Sequence, residues 1–260
     1  MTLSLLSTAL GFGSGTLVGF TLGLVGGGGS ILAVPLLVYV VGVKDPHIAI
    51  GTSAVAVAAN AIANLAQHAR HATVKWPCAA VFALSGVLGA WLGSSVGKLI
   101  DGQKLLALFA ILMIGVAVLM LKRRGNEGDK TVRLNRGNLP RLIGAGSLAG
   151  LLSGFFGIGG GFLIVPGLMA ATGMAIINAI ASSLVAVTAF GMTTAINYAA
   201  SGFVEWDLAL AFIAGGALGG VIGTRAAHYF AAQRGLLNSV FGGLILVVAA
   251  YMFVRSAASI

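Results

Sequence analysis

Apolar positions along this chain come in long runs, interrupted by glycine clusters and short charged loops. Residues 3–25 form the first run, long enough for the roughly 20 residues that a bilayer-spanning helix needs. Within it Gly11, Gly15, Gly19 and Gly23 recur every four residues. That spacing lines small residues along one helix stripe and lets another backbone approach closely. Gly26, Gly27, Gly28 and Gly29 follow, then Ser30 and an apolar stretch from Ile31 to Val43. At about 1.5 Å per residue the stretch covers only about 20 Å, and Pro35 cannot donate to the carbonyl of Ile31. A bent or half-length helix is expected there.

Residues 48–69 read as an Ala-rich helix that carries Thr52, Ser53, Asn60, Asn64, Gln67 and His68. The last four fall near one face, and a polar stripe on a membrane helix is expected to face the bundle interior. Residues 77–98 form the next span, with Trp76 as its interfacial anchor and its own series Gly86, Gly89, Gly93 and Gly97. Residues 105–121 are almost entirely apolar and read as a lipid-facing helix.

The second part of the chain repeats this plan. The run Gly26 to Gly29 with Pro35 returns as Gly157, Gly159, Gly160 and Gly161 with Pro166, with Ile158 interrupting the second glycine run. From there an offset of 130 residues matches Thr52 and Ser53 with Ser182 and Ser183, Asn64 with Thr194, and Gln67 with Asn197. The same offset matches Lys75-Trp76 with Glu205-Trp206, and Gly86, Gly89 and Gly93 with Gly216, Gly219 and Gly223. The expected organisation is a first transmembrane repeat over 1–121, a basic linker over 122–141 and a second transmembrane repeat over 142–260.

Composition makes the class an all-α polytopic membrane protein. Hydrophobic residues are 58% and charged residues 8%, against about 25% charged in soluble domains. Two homologous halves of four or five helices each, eight to ten in all, are expected, with Gly-rich helix breaks. Seven of the 15 Lys and Arg lie between Lys122 and Arg141, which marks that linker as cytoplasmic and as devoid of an ordered domain. Five spans per half make the halves inverted; four make them parallel, and the charge rule divides Lys and Arg equally well in both. Opposite charge at the matched loops, basic near Lys75 and acidic at Glu205 and Asp207, favours inversion. The basic segment reads as a topology signal rather than a nucleic-acid contact. The single Cys78 excludes an internal disulfide, and there is no Cys/His cluster with metal spacing. No cofactor is expected, and a homo-oligomer is compatible with the sequence.

The candidate chemistry follows from where carboxylates are missing. Asp45, Asp101, Glu127, Asp129, Glu205 and Asp207 all fall in expected loops or span ends, whereas cation carriers place carboxylates in the bilayer. An anion would instead find backbone N–H groups at the glycine runs and at the helix starts behind them. Ser30 reads as an N-cap for a helix from Ile31. Thr52, Ser53, Ser182, Ser183, Asn60, Asn64, Thr194 and Asn197 add hydroxyl and amide donors. Packing alone also explains glycine runs, and Ser or Thr in such helices often bond back to their own backbone. An intramembrane enzyme would need a nucleophile with a base, or paired carboxylates, and the spans offer neither. The chain is therefore read as a carrier, not an enzyme.

These duplicated motifs resemble the sulfite exporter TauE/SafE family: glycine run, Val-Pro, then Thr-Ser or Ser-Ser about 17 residues later, then a charged loop with Trp. The resemblance covers almost the whole chain. It implies a multi-pass permease of the bacterial inner membrane that moves sulfite, an organosulfonate or another small organic or sulfur-containing anion. It also implies a shared role for Gly26 to Gly29, Thr52 and Ser53, and for Gly157 to Gly161, Ser182 and Ser183. A non-transporting membrane scaffold is the other reading.

Overall fold

Long apolar runs with small residues on one stripe become helices that meet backbone to backbone. The computed structural model describes residues 5–70, 73–122, 128–129, 131–157, 159, 161–229, 243, 245–253 and 255. Ile158 and Gly160 lie outside the described residues, as does part of the linker. Helix α1 spans Leu5–Val25. The glycine run then winds as a 3-10 helix, Gly26–Leu32, followed by a short α2, Ala33–Leu36, and a π-turn, Leu37–Val41. The segment ends at Gly42, whose left-handed φ of 84° turns the chain. The expected bent helix is thus a helix of three different pitches. Ser30 lies inside the 3-10 stretch and does not cap the α-helical part, which begins at Ala33.

Helices α3 (Pro46–Arg70), α4 (Trp76–Gly97) and α5 (Gly102–Lys122) complete the first half. The second half holds α6 (Leu139–Phe156), α7 (Gly161–Thr172), α8 (Ile176–Ala200) and α9 (Trp206–Tyr229). Residues 245–253 are again helical. Among the described residues, α1, α3, α4, α6, α8 and α9 are long and apolar enough to cross a membrane; the stretches Gly29–Val41, Gly102–Gly115 and Gly161–Thr172 are shorter apolar helices. The chain is a multi-pass membrane protein. Leu84, Leu88 and Leu99 on the outer surface are more than 70% exposed, as lipid contact allows.

The closest helix pairings join the two halves rather than lying within one. Helix α1 packs along α9, α4 along α6, and α3 crosses α8. The glycine stripes set the separation. A methyl group at Gly19 would overlap the Gly216 carbonyl, one at Gly15 the Phe212 carbonyl, and one at Gly150 the Gly86 carbonyl. These contacts also fix direction. Going forward on α1 goes forward on α9, and Gly86 with Gly150, then Ala90 with Gly154, make α4 and α6 parallel as well. In contrast, Gly51 meets Tyr198 while Ala58 meets Gly191, so α3 and its repeat mate α8 run antiparallel. Asn60 and Asn64 lie along Gly216 and Gly220, which aligns α3 with α9. Thus α1, α3 and α9 run one way and α4, α6 and α8 the other.

One part of the chain departs from the sequence reading. Helix α5 is not wholly lipid-facing: Leu105, Leu106, Phe109, Ala110, Met113 and Ala117 are buried, and Phe109 packs on Phe156 with ring centroids 5.6 Å apart. A uniformly apolar sequence conceals which face is buried, because lipid and core demand the same residues. The linker, in turn, carries local order. Asp129 N–H donates to the Gly173 carbonyl at 2.9 Å and its own carbonyl accepts from Ala175 N–H at 3.0 Å, which docks it on the α7–α8 turn. Asn138 donates from its side chain to the Arg133 carbonyl at 2.9 Å.

Candidate functional site

The glycine runs begin alike. Gly26 (φ 71°) ends α1 and Gly157 (φ 68°) ends α6, each in the left-handed conformation that glycine adopts without strain. Gly26 then packs on Ile180 of α8, and Gly157 packs on Ile50 of α3. Ile50 and Ile180 are themselves matched at an offset of 130. Each break therefore leans on the long helix of the opposite half. Gly159 (φ 64°) lies deeper, with Val57 and Val187 as its neighbours, and those two residues are also a matched pair. The segment Gly26–Leu32 touches α7 and α8, so the two breaks meet beside the crossing of α3 and α8.

The crossing has a definite centre. Its antiparallel register, combined with the repeat offset, puts Asn60 of α3 and its mate Phe190 of α8 at matching places in the middle. The Asn60 amide lies against Gly216 of α9, and the Phe190 ring lies against Gly86 of α4, which is the mate of Gly216. One side of the centre is polar and the other is aromatic. Asn60 is 1% exposed, and neither its Nδ2 nor its Oδ1 has a hydrogen-bond partner. Thr194, one turn beyond Phe190, is fully buried, and its Oγ1 also has no partner. A buried polar group left unpaired costs about 1–3 kcal/mol. Such groups are rare enough to call for a functional explanation.

Other expected donors are occupied. The Thr52 hydroxyl accepts from the Glu205 N–H at 3.0 Å, and the Ser182 hydroxyl accepts from the Lys75 N–H at 2.9 Å. These are matched bonds: each ties the start of one long helix to the residue that precedes α9 or α4 of the other half. Ser53 and Ser183 donate back to the carbonyls of Ile50 and Ile180, at 2.9 and 2.7 Å. The Asn64 Nδ2 donates to the Asn60 carbonyl at 2.9 Å and its Oδ1 accepts from Thr224 at 3.3 Å. Asn197 is held at the end of α4, donating to Ser94 and Ser95 at 2.6 and 2.9 Å and accepting from Lys98 at 2.6 Å. The structure therefore places Asn60 and Gly159 near the middle of the crossing, the Asn60 amide turned towards α9, with Gly26 and Gly157 towards its two ends; Thr194 is buried on α8 one turn beyond Phe190. It sends Thr52, Ser182 and Asn197 to contacts between halves. Gly29, Ser30 and Gly161 are buried within the breaks, as the matched runs imply, and Gly27 and Gly28 belong to the same 3-10 turn.

Among the described residues, four buried atoms that sequence reasoning did not single out also have no partner: Ser153 Oγ, Asn178 Oδ1, Tyr198 Oη and His47 Nδ1. The rings of His47 and Tyr198 lie 6.3 Å apart, and Lys98 Nζ sits 5.8 Å above the Tyr198 ring. Only the position of Tyr198 directly after Asn197 could have drawn attention to it. Among the described residues the buried polar set holds only Ser, Thr, Asn and His, and no group of three or more His, Cys, Asp or Glu is placed to hold a metal ion.

Comparison with known proteins extends over the same region. A family model described as Sulfite exporter TauE/SafE matches residues 11–252. A Xylella fastidiosa protein named probable membrane transporter protein is 56% identical over 252 residues, covering 95% of each chain. The probable membrane transporter protein YunE of Bacillus subtilis is 29% identical over 230 residues, covering 80% of this chain and 84% of its own. A similarly named protein of Haemophilus influenzae is 29% identical over 263 residues, covering 93% of this chain and 96% of its own. No solved structure matches the chain.

Proposed function

This chain belongs to the sulfite exporter TauE/SafE family of membrane transporters, and we propose that it is a permease for a small sulfur-containing anion, sulfite or an organosulfonate. The observation that carries the reading is the pair of buried, unpaired polar groups, Asn60 on α3 and Thr194 on α8, on the two long helices against which the matched breaks lean. The breaks supply backbone N–H donors and the starts of helical segments, both of which favour negative charge. The amide and hydroxyl at the crossing supply the rest. No fixed cation is needed, so the anion exchanges its water for neutral donors that release it as readily as they take it.

We read the halves as inverted repeats of five spans each, counting the broken segments. The antiparallel run of α3 against its mate α8 supports this. It also brings Lys75, the docked linker and the basic residues around Arg133 and Arg141 to one face, with Glu205 and Asp207 at the other. The basic face is then cytoplasmic, in a bacterial inner membrane. Since α1 packs with α9 and α4 with α6, the natural moving units are these cross-half pairs, rocking about the α3–α8 crossing. The matched bonds Thr52–Glu205 and Ser182–Lys75 sit at opposite ends of that crossing. Each is placed to close one face.

A thermal-stability screen of the purified protein against sulfite, thiosulfate, organosulfonates and carboxylates tests the binding site. Stabilisation by sulfur anions that is lost in Thr194→Val supports the reading. Stabilisation by carboxylates alone would transfer it to a non-sulfur organic anion, and stabilisation by nothing would favour a scaffold.

A further inference from the structure

We propose that Asn60 selects a singly charged, protonated oxyanion, hydrogensulfite, over anions that only accept hydrogen bonds. The proposal rests on reading the chain as a sulfur-anion permease, and it names which form of the anion crosses. Asn60 sits at the centre of the α3–α8 crossing, 1% exposed, and both ends of its amide lack a partner. Nδ2 is a donor and Oδ1 is an acceptor. A ligand offering only acceptor oxygens satisfies Nδ2 and leaves Oδ1 unpaired in the interior. A ligand that also carries an O–H satisfies both.

The fold itself does not need an amide at this place. The matched position in the second half is Phe190, packed against Gly86 as Asn60 is against Gly216. An apolar ring thus fills the equivalent space on one side, while the amide on the other is retained at a cost. Gly216 supplies no side chain that competes for the amide. Charge points the same way. The described buried polar set holds no Asp, Glu, Lys or Arg, and a dianion is much more expensive to desolvate than a monoanion. In the protonated form the proton travels on the substrate, so no carboxylate in the spans has to carry it.

The test is counterflow in proteoliposomes of the full chain, with labelled sulfite compared with labelled methanesulfonate. Both hydrogensulfite and methanesulfonate carry one negative charge, but only hydrogensulfite has a proton to donate. One unpaired acceptor predicts a preference for hydrogensulfite of roughly tenfold to a hundredfold. Hydrogensulfite loses its proton near neutral pH, so uptake per total sulfite should fall as pH rises through neutrality while methanesulfonate uptake stays level. Asn60→Leu should bring the two rates together by slowing sulfite, and Asn60→Ser, whose hydroxyl both donates and accepts, should keep part of the preference. Equal wild-type rates for the two anions overturn the proposal whether or not either variant folds. So does a preference that Asn60→Leu leaves intact. Either result would leave the permease reading standing. Absence of counterflow for every anion would remove both.

Discussion

Replacing Thr52 by valine removes the acceptor that the Glu205 N–H uses, 3.0 Å away and 153 positions along the chain. Valine keeps nearly the same volume in a fully buried site, so the loss is the hydrogen bond rather than packing. Two magnitudes compete. A buried N–H left without a partner costs about 1–3 kcal/mol, whereas interhelical bonds in membrane proteins average about 0.6 kcal/mol. Glu205 is only half-buried, so water reaches its N–H once the hydroxyl is gone, and the cost should settle near 1 kcal/mol. Ser182→Ala removes the matched bond to Lys75 and should cost a similar amount. The two bonds lie at opposite ends of an antiparallel crossing, so their effects should add within about 0.5 kcal/mol. Ser53→Ala is the control, since it breaks only a back-bond within α3. Thermal unfolding in detergent reads all four proteins. For a chain of this size about 1 kcal/mol corresponds to roughly 2–4 °C. No shift in Thr52→Val, or a Ser53→Ala shift as large as its own, would refute the role given to the cross-half bond.

Gly19→Leu should separate α1 from α9 and cost at least about 1–3 kcal/mol, because its new Cβ meets the Gly216 backbone; Gly13→Ala, with nothing within 4 Å, should be neutral or gain a few tenths of a kcal/mol, roughly, from helix propensity. Cys78, 1% exposed, should resist maleimide in the folded protein and react after denaturation, with mass spectrometry as the readout. Hydrogen bonds from Thr131 hold the Asp129 carboxyl below its usual pKa. Its turn should therefore be intact at neutral pH and loosen only as pH falls through that depressed value, seen as faster proteolysis of the linker in acid.

The helices and their breaks were legible because each has a local cause. Gly26 and Gly157 stop helices by adopting a left-handed conformation, and the long apolar runs admit little except a spanning helix. A repeated sequence pattern was legible as well, with Thr52 and Ser182 at matching places 130 positions apart. What those hydroxyls do was not legible. Their partners, Glu205 and Lys75, lie in the other half, and a period of 3.6 carries no information about a helix 100 residues away. The buried face of α5 was hidden for a different reason, since lipid and protein core select the same side chains. Asn60 was visible as one member of a polar stripe. Its distinction from Asn64 and Asn197 came only from their neighbours: Thr224 and Ser94 satisfy those two amides, while Gly216 offers Asn60 nothing.

Flux of radiolabelled sulfite into proteoliposomes against protein-free liposomes is the direct test of a permease with its site at the α3–α8 crossing. The expected result is saturable uptake, competed by unlabelled small sulfur anions and reduced at least about tenfold when Gly191→Leu jams the crossing against Ala58. Uptake no faster than in empty liposomes for every sulfur anion tried, by protein that is monodisperse and fully helical, would contradict it.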